Sequence, residues 1–476
     1  MSELQASSEP NVLEKESLPA FQERQEKGKA LRKEVPRSSH KSLGPIHDRP
    51  DPVSLLQKYD EKRLKKLLPI KYGRMLKSPF AFFRGTADIM AYDLAKTPVT
   101  GLQAQLCGDA HLLNFGIFAT PERKLVFDIN DFDETHPGPW EWDLKRLATS
   151  AILAGRDKGF EEKINRKLAK AVAAYYRKAM SDFASVAFLD VWYYQVEVDE
   201  LLRIFEKFSR RIEKQAENIA RNARNNTQSQ SIQKLTEIIE GRRWIVSNPP
   251  LVVRLTEIMS KEDKAWITKE KYAEKLFKDY VDSVPEEKRQ LLLHFKITDG
   301  ALRVGGIGSI GTRCLIFLLE GAAEDEALIL QLKEAGQSVL EPYVEKKNYT
   351  NQAQRVVIGQ KLIQGASDIF LGWHESPLTG IAYYWRQLKD MKGSFDLVSM
   401  DETSLETYLK VCSVCLARAH ARTGDAANIS GYIGKSETFC NAITDFAQAY
   451  ADQTEHDFEI FREAVKAGRI EVREGV

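Results

Sequence analysis

Two short stretches of this chain carry residue types and spacings that could move a phosphoryl group. The first is Cys107-Gly108-Asp109-Ala110-His111-Leu112-Leu113-Asn114. The second is Val126-Phe127-Asp128-Ile129-Asn130-Asp131-Phe132-Asp133. An Asp is followed five residues later by an Asn, and then by several carboxylates at the end of an apolar run. Phosphoryl transfer needs that set: a carboxylate to orient a hydroxyl, and an amide plus a carboxylate to hold magnesium. Asp109 is therefore the candidate catalytic residue. Asn114, with Asp128 or Asp131, is the candidate magnesium site; carboxylates held this close repel, and a divalent cation relieves the repulsion. His111 is expected to satisfy backbone groups of its loop. Asp143 either braces the Asp109 loop or sits at a helix start favoured by the macrodipole.

A nucleotide-binding pattern lies about two hundred residues downstream, in Arg303-Val304-Gly305-Gly306-Ile307-Gly308-Ser309-Ile310-Gly311-Thr312-Arg313. Gly306, Gly308 and Gly311 fit G-x-G-x-x-G, with Ser309 inside the loop. A dinucleotide site would need a helix after the glycines. Here the β-prone run Cys314–Leu319 follows, then a polar turn and a second apolar run, 327–332, ending in Lys333. Strand, glycine loop, strand, turn and strand with a terminal Lys is the order in which backbone N–H groups cover phosphates and a Lys contacts their oxygens. Glu341 and Glu345 are the candidates to hold Lys333, and Glu341 is nearer the start of the following helical pattern.

Positioning these loops falls to a helical body and a small mixed sheet. Residues 53–74 read as a basic amphipathic helix, broken by Ser78–Gly85, and 86–95 as a second helix. Strands are expected at 102–107 and 124–129, a loop at His136-Pro137-Gly138-Pro139, and a helix from Trp140 to about Ala154. Helices dominate 161–239 and 262–293. The β-rich segment spans about 302–333. A helix at 352–367, a strand at 381–388, and helices at 405–422 and 437–467 complete the pattern. Residues 1–50, rich in Glu, Lys, Ser and Pro, read as a disordered leader. The remaining divisions are 51–300 (helical, with the catalytic and metal loops), 301–395 (β-rich, nucleotide-binding) and 396–476 (C-terminal helices).

Composition narrows the partners. Of 476 residues 43% are hydrophobic and 29% charged, yet the net charge is only +1, so no global field favours nucleic acid. No run approaches the length of a membrane span, and no secretion signal opens the chain. Five cysteines do not make a disulfide framework, and the lone pair Cys412/Cys415 falls inside a helical pattern, which suits a reducing cytoplasm.

Through GDAHLLNFG, FDINDFDET, PWEWDLKRLA, GIGSIGTR, LQLKEA, SDIFLGW and ARAHARTGD the chain resembles the bacterial family named domain of unknown function 2252. Locally, GDAHLLN, then VFDINDFD, then a helix with Asp143-Leu144 is similar to aminoglycoside and choline phosphotransferases. That resemblance implies that Asp109 is the catalytic Asp, Asn114 a metal ligand, and Asp128 or Asp131 the second. Two departures stand out. Cys107 replaces a His, so the loop's brace is either missing or supplied from elsewhere, with His420 a candidate, and the catalytic loop precedes the glycine loop. The resemblance therefore implies an α+β, two-lobed, protein-kinase-like fold that is circularly permuted, with a large helical lobe and a small β-rich lobe. The implied activity is transfer from ATP, with Mg2+, to a hydroxyl of a small molecule, or alternatively of a protein; nucleotidyl transfer by the same residues is a variant. A metal-dependent phosphohydrolase and a non-catalytic nucleotide-binding scaffold are the competing readings.

Overall fold

The computed structural model describes residues 20–208, 210–225, 228–259, 272–323, 326–388 and 391–475. They form an α+β protein in which long helices surround one apolar core and, among the described residues, the strands make four sheets.

The helical core is built from Glu141–Asp157, Glu162–Ala184, Glu402–Thr423 and Thr438–Lys466. Buried Ala417 and Ala421, four residues apart, keep one side of the Glu402–Thr423 helix small, so its neighbours can approach closely. Trp140, just before the Glu141–Asp157 helix, stacks on Tyr176 at 5.5 Å and 5°. This fixes the start of the helix that carries Asp143.

The strands, in chain order, are β1 (Gln103–Leu106), β2 (Phe115–Ala119), β3 (Leu125–Ile129), β4 (His136–Pro139), β5 (Val196–Glu197), β6 (Thr236–Ile239), β7 (Arg242–Ile245), β8 (Val252–Arg254), β9 (Lys296–Arg303), β10 (Cys314–Glu320), β11 (Ala327–Glu334), β12 (Gly372–Glu375) and β13 (Ala382–Gln387). The main sheet is antiparallel, in the order β12-β13-β11-β10-β9-β8. Alternation along β11 and β13 separates its two faces. Leu332 pairs with Trp385, and their side pairs with a core in which Trp385 stacks on Tyr280 at 4.6 Å. Lys333 pairs with Tyr384, and Gln331 with Arg386, which puts a polar row on the other face.

Several expected elements come out differently. Residues 1–19 of the expected leader lie outside the described residues, but Ala20–Pro50 is packed. The helix Phe21–Ala30 crosses Ala426–Ile433 so closely that a Cβ on Gly28 would lie 2.0 Å from the Asn428 carbonyl oxygen. Arg32 donates to the Tyr432 carbonyl, and buried His40 meets the Tyr432 hydroxyl at 2.7 Å. The helix expected over 53–74 is broken into Pro52–Tyr59, two short 3-10 turns and Leu68–Met75. Buried Asp60 turns the chain back onto the Lys71 ammonium, at 2.7 Å. His136–Pro139, expected as a loop, pairs with β1 as an edge strand, where prolines are tolerated. Residues 51–300 are not purely helical: they hold β1–β8, and β9 begins at Lys296, ahead of the expected boundary at 301. Of the helix expected over 262–293, residues 260–271 lie outside the described residues, and the rest is Tyr272–Asp282 and Glu286–Leu292. Among the described residues, no helix is long and apolar enough to cross a membrane.

Candidate active site

The Asp109 loop leaves β1 through Gly108, whose φ of +82° is left-handed and where a Cβ would lie 2.3 Å from the Glu134 carbonyl oxygen. Both constraints demand glycine. The backbone N–H groups of Cys107 and Gly108 donate to the Asp143 carboxylate at 2.8 and 3.0 Å. On the far side of that carboxylate stands His420 Nε2, at 3.4 Å, while His420 Nδ1 meets the Tyr176 hydroxyl at 2.8 Å. Asp143, backed by His420 and Tyr176, is thus the loop's brace. Cys107 is fully enclosed, and burial, aided by Asp143 and Asp109, pushes its thiol well above the usual range.

Asp109 keeps some exposure, at 17% of its side chain, and its Oδ1 accepts from Arg146 Nε at 2.5 Å. Asn114 donates its amide N–H to the Asp109 carbonyl at 2.6 Å, and its own carbonyl accepts from Asn130 N. The loop is thereby tied to the end of β3. His111 accepts from the Leu113 N–H, as a local cap. Burial first, and then Arg84 and Arg146, hold its ring well below the usual histidine range, so it is neutral.

The two aspartates proposed from the sequence as alternatives have different environments. Asp128 is 3% exposed. It accepts from Arg418 Nη2 at 2.7 and 2.8 Å, from Gly365 N at 3.0 Å and from Ile129 N at 2.9 Å. Its lone pairs are taken, so it is an anchor for β3 and not an available metal ligand. Asp131 stands in the loop beyond β3. Its Oδ1 is shielded from solvent, has no hydrogen-bond partner and lies 3.7 Å from Lys333 Nζ.

Lys333, 3% exposed, donates to Asp133 Oδ2 at 2.6 Å, and its cross-strand neighbour Tyr384 donates to the other oxygen, also at 2.6 Å. Burial works against the Lys333 charge, but Asp131 and Asp133 outweigh it and hold the ammonium well above its usual range. Burial and the adjacent Asp133 push the Asp131 carboxyl up. Glu341 is not the partner of Lys333. It lies 3.5 Å from Arg355 Nε and accepts from Ser338 N. Arg355 in turn donates to the carbonyls of Thr135, Asp133 and Gly336, clamping the acidic loop to the segment after β11.

The glycine loop joins β9 to β10. A Cβ on Gly306 or Gly308 would meet nothing within 4 Å, so packing leaves these positions open. Gly311 has φ +93°, and its carbonyl accepts from the Leu64 N–H at 2.7 Å. Ser309 sits in the short 3-10 turn between them. The loop's end is tied to β11 by Glu334, which accepts from Arg313 N at 2.9 Å. Gly308, Thr312, Asp133, Glu134, Tyr59 and Ser338 all line one cavity of about 510 Å³. Burial raises the Glu134 carboxyl in its wall to about 7.

Sequence reasoning thus brings Asp109, Asn114, Asp131, Lys333 and the glycine loop into one region and misplaces Asp128 and Glu341. It overlooks Asp133, although the alternation in Asp131-Phe132-Asp133 puts both carboxylates on one side of an extended segment. Arg146 and Tyr384 gave no signal, since neither belongs to a recognisable spacing.

Neither the curated proteins nor the solved structures yielded a match to this chain. One family model does match, over residues 63–464, a span that contains Asp109, Asn114, Asp131, Asp133, Lys333 and the glycine loop. Its description is "Uncharacterized protein conserved in bacteria", and the chain is a member of that family, domain of unknown function 2252.

Proposed function

We propose that this protein is an ATP- and magnesium-dependent phosphotransferase acting on a hydroxyl, with a two-lobed, kinase-like arrangement in circularly permuted order. The observation that carries the reading is the 2.6 Å contact of Lys333 with Asp133 across 200 residues of sequence. A strand-end lysine buried against the acidic loop is what a phosphate-contacting lysine does before its nucleotide arrives.

In this reading the glycine loop covers the phosphates and Lys333 exchanges Asp133 for phosphate oxygens. Asp109, held by Arg146 and by the braced turn at Gly108, orients the acceptor hydroxyl. The donor set fits magnesium: Asp131 Oδ1 is orphaned, Asp133 is beside it, and Asn114 has turned its N–H group to the Asp109 carbonyl, leaving the amide oxygen as its ligand atom. Magnesium there would neutralise phosphate charge, and one or two carboxylates with substrate phosphates suffice for it. Among the described residues no group of three or more His, Cys, Asp or Glu is set to hold a metal. That weighs against a dinuclear phosphohydrolase, which needs such a cage from the protein alone.

The test is calorimetric titration of ATP with and without magnesium into wild type and Lys333→Ala, followed by product analysis of turnover. Magnesium-dependent binding that weakens in Lys333→Ala supports the reading; wild type that binds no ATP ends it. ADP as product identifies phosphoryl transfer, and pyrophosphate identifies nucleotidyl transfer.

A further inference from the structure

We propose that Arg84, backed by Arg74, grips the phosphoryl group as it passes to the acceptor at Asp109; this rests on the phosphotransferase reading above.

Neither arginine belongs to a recognised motif. Arg74 ends the helix Leu68–Met75, and Arg84 caps the short helix Pro79–Phe83. The two segments close on each other at the neighbouring positions, where a Cβ on Gly85 would lie 2.6 Å from Met75 Sδ. The pair sits between the two halves of the site. On one side, Arg74 Nη1 donates to the Gly305 carbonyl at 2.8 Å, at the root of the glycine loop. On the other, Arg146 Nη2 donates to the Phe83 carbonyl at 3.0 Å, and its Nε holds Asp109. Arg84 therefore follows directly the residue that the Asp109-holding arginine grips.

The guanidinium groups are not equally engaged. Arg146 spends its Nε on Asp109, Nη2 on Phe83 and Nη1 on Met90 Sδ, and its plane lies 4.3 Å from the Phe83 ring. It positions Asp109. Arg84 Nε is shielded from solvent and has no hydrogen-bond partner. A buried donor without an acceptor is destabilising and calls for a ligand. The like charge of Arg74 adds to that call: burial, then Arg74, lower the Arg84 guanidinium, and Asp109 opposes them. An anion between the glycine loop and Asp109 gives the Arg84 Nε an acceptor and offsets the repulsion between Arg84 and Arg74.

The transfer step supplies such an anion. The acceptor oxygen forms a bond to the γ-phosphorus as the bond from that phosphorus to the bridging oxygen breaks. The electron pair leaves with ADP, and the hydroxyl proton goes to Asp109. Charge on the three non-bridging oxygens is matched by the planar guanidinium fork better than by an ammonium.

The test uses the full chain and two probes, magnesium–ADP alone and magnesium–ADP with aluminium fluoride, which mimics the group in flight. Calorimetry on wild type should show tighter ADP binding when fluoride is added. Arg84→Gln should lose roughly tenfold or more of that tightening, with ADP alone unchanged within about twofold. The surface variant Arg166→Gln should behave as wild type. Full tightening in folded Arg84→Gln, or an equal loss with ADP alone, overturns the proposal. If Arg84→Gln does not fold, Arg84→Lys decides, because it keeps the charge and loses the fork; undiminished tightening there overturns it too. Wild type that binds no magnesium–ADP instead defeats the phosphotransferase reading, and this inference with it.

Discussion

Truncating Asp128 and truncating Asp131 should have opposite signatures. Asp128→Ala removes the carboxylate facing Arg418 Nη2, together with the acceptors for Gly365 N and Ile129 N. What remains is a guanidinium that is 1% exposed, with the Tyr194 carbonyl at 3.5 Å and an Nε already lacking a partner. Breaking a buried pair from one side costs about 3–5 kcal/mol. For a chain of this size that lowers the melting temperature by about 3–5 °C. The magnesium dependence of ATP binding should not move. Asp131 has a side chain 39% exposed, with Lys333 at 3.7 Å and the Arg386 charge also acting on it. Its removal also relieves repulsion with Asp133, so Asp131→Ala should melt within about 0.5 kcal/mol of wild type. Its magnesium requirement should rise on the order of tenfold. The assays are differential scanning calorimetry and ATP titrations at graded magnesium. A shifted magnesium curve in Asp128→Ala with an unchanged melt would refute the assignment of Asp128 as an anchor. An unshifted curve in Asp131→Ala would remove the acidic loop from metal binding.

Asp109→Asn should cut turnover by roughly 10²–10⁴-fold with ATP affinity retained, because the carboxylate acts on the acceptor; undiminished turnover excludes it from the mechanism. Asp143→Ala should strand the Cys107 and Gly108 N–H groups, costing about 1–3 kcal/mol and lowering turnover without changing ATP affinity; a melt equal to wild type would contradict the bracing role. Burial raises Glu134 to about 7, above its ordinary 4.5, so the folded state keeps a proton that the unfolded state has lost. Its contribution to stability is therefore present below about pH 4.5 and is lost as pH rises towards 7. The melting temperature of Glu134→Gln relative to wild type should climb between pH 5 and pH 8, and a flat difference counts against the shift.

The legible part of this protein was the part governed by local spacing. Asp109 and Asn114 declare themselves by their separation, the glycine loop by its triplet, and β10 and β11 by apolar runs. Partners were not legible, because they are set by folding at long range. Glu341 stands near the start of the helical pattern that follows Lys333, but the sheet register turns Lys333 towards Asp133, 200 residues back. Asp128 has the strand position expected of a ligand, and only the arrival of Arg418 from a distant helix fills its coordination. Composition misjudged the N-terminal segment for a related reason. The helix Phe21–Ala30 is almost wholly polar and has Gly28 as its buried residue. It is held by backbone contact at glycine and by Arg32 reaching carbonyls, interactions that hydrophobicity does not record.

The distance in sequence between the acidic loop and its counter-charges has a consequence for biogenesis. Asp131 and Asp133 leave the ribosome well before Lys333, and Asp128 precedes Arg418 by 290 residues. At about 5–20 residues per second, the first interval is on the order of 10–40 s. During that time β2 and β3 are exposed with their carboxylates unneutralised, and the braces His420 and Arg418 have not been translated. The chemical centre is thus among the last regions to mature, after the C-terminal helices have closed behind it. A nascent chain stalled before Lys296 would present the acidic loop, without Lys333, to chaperones and proteases.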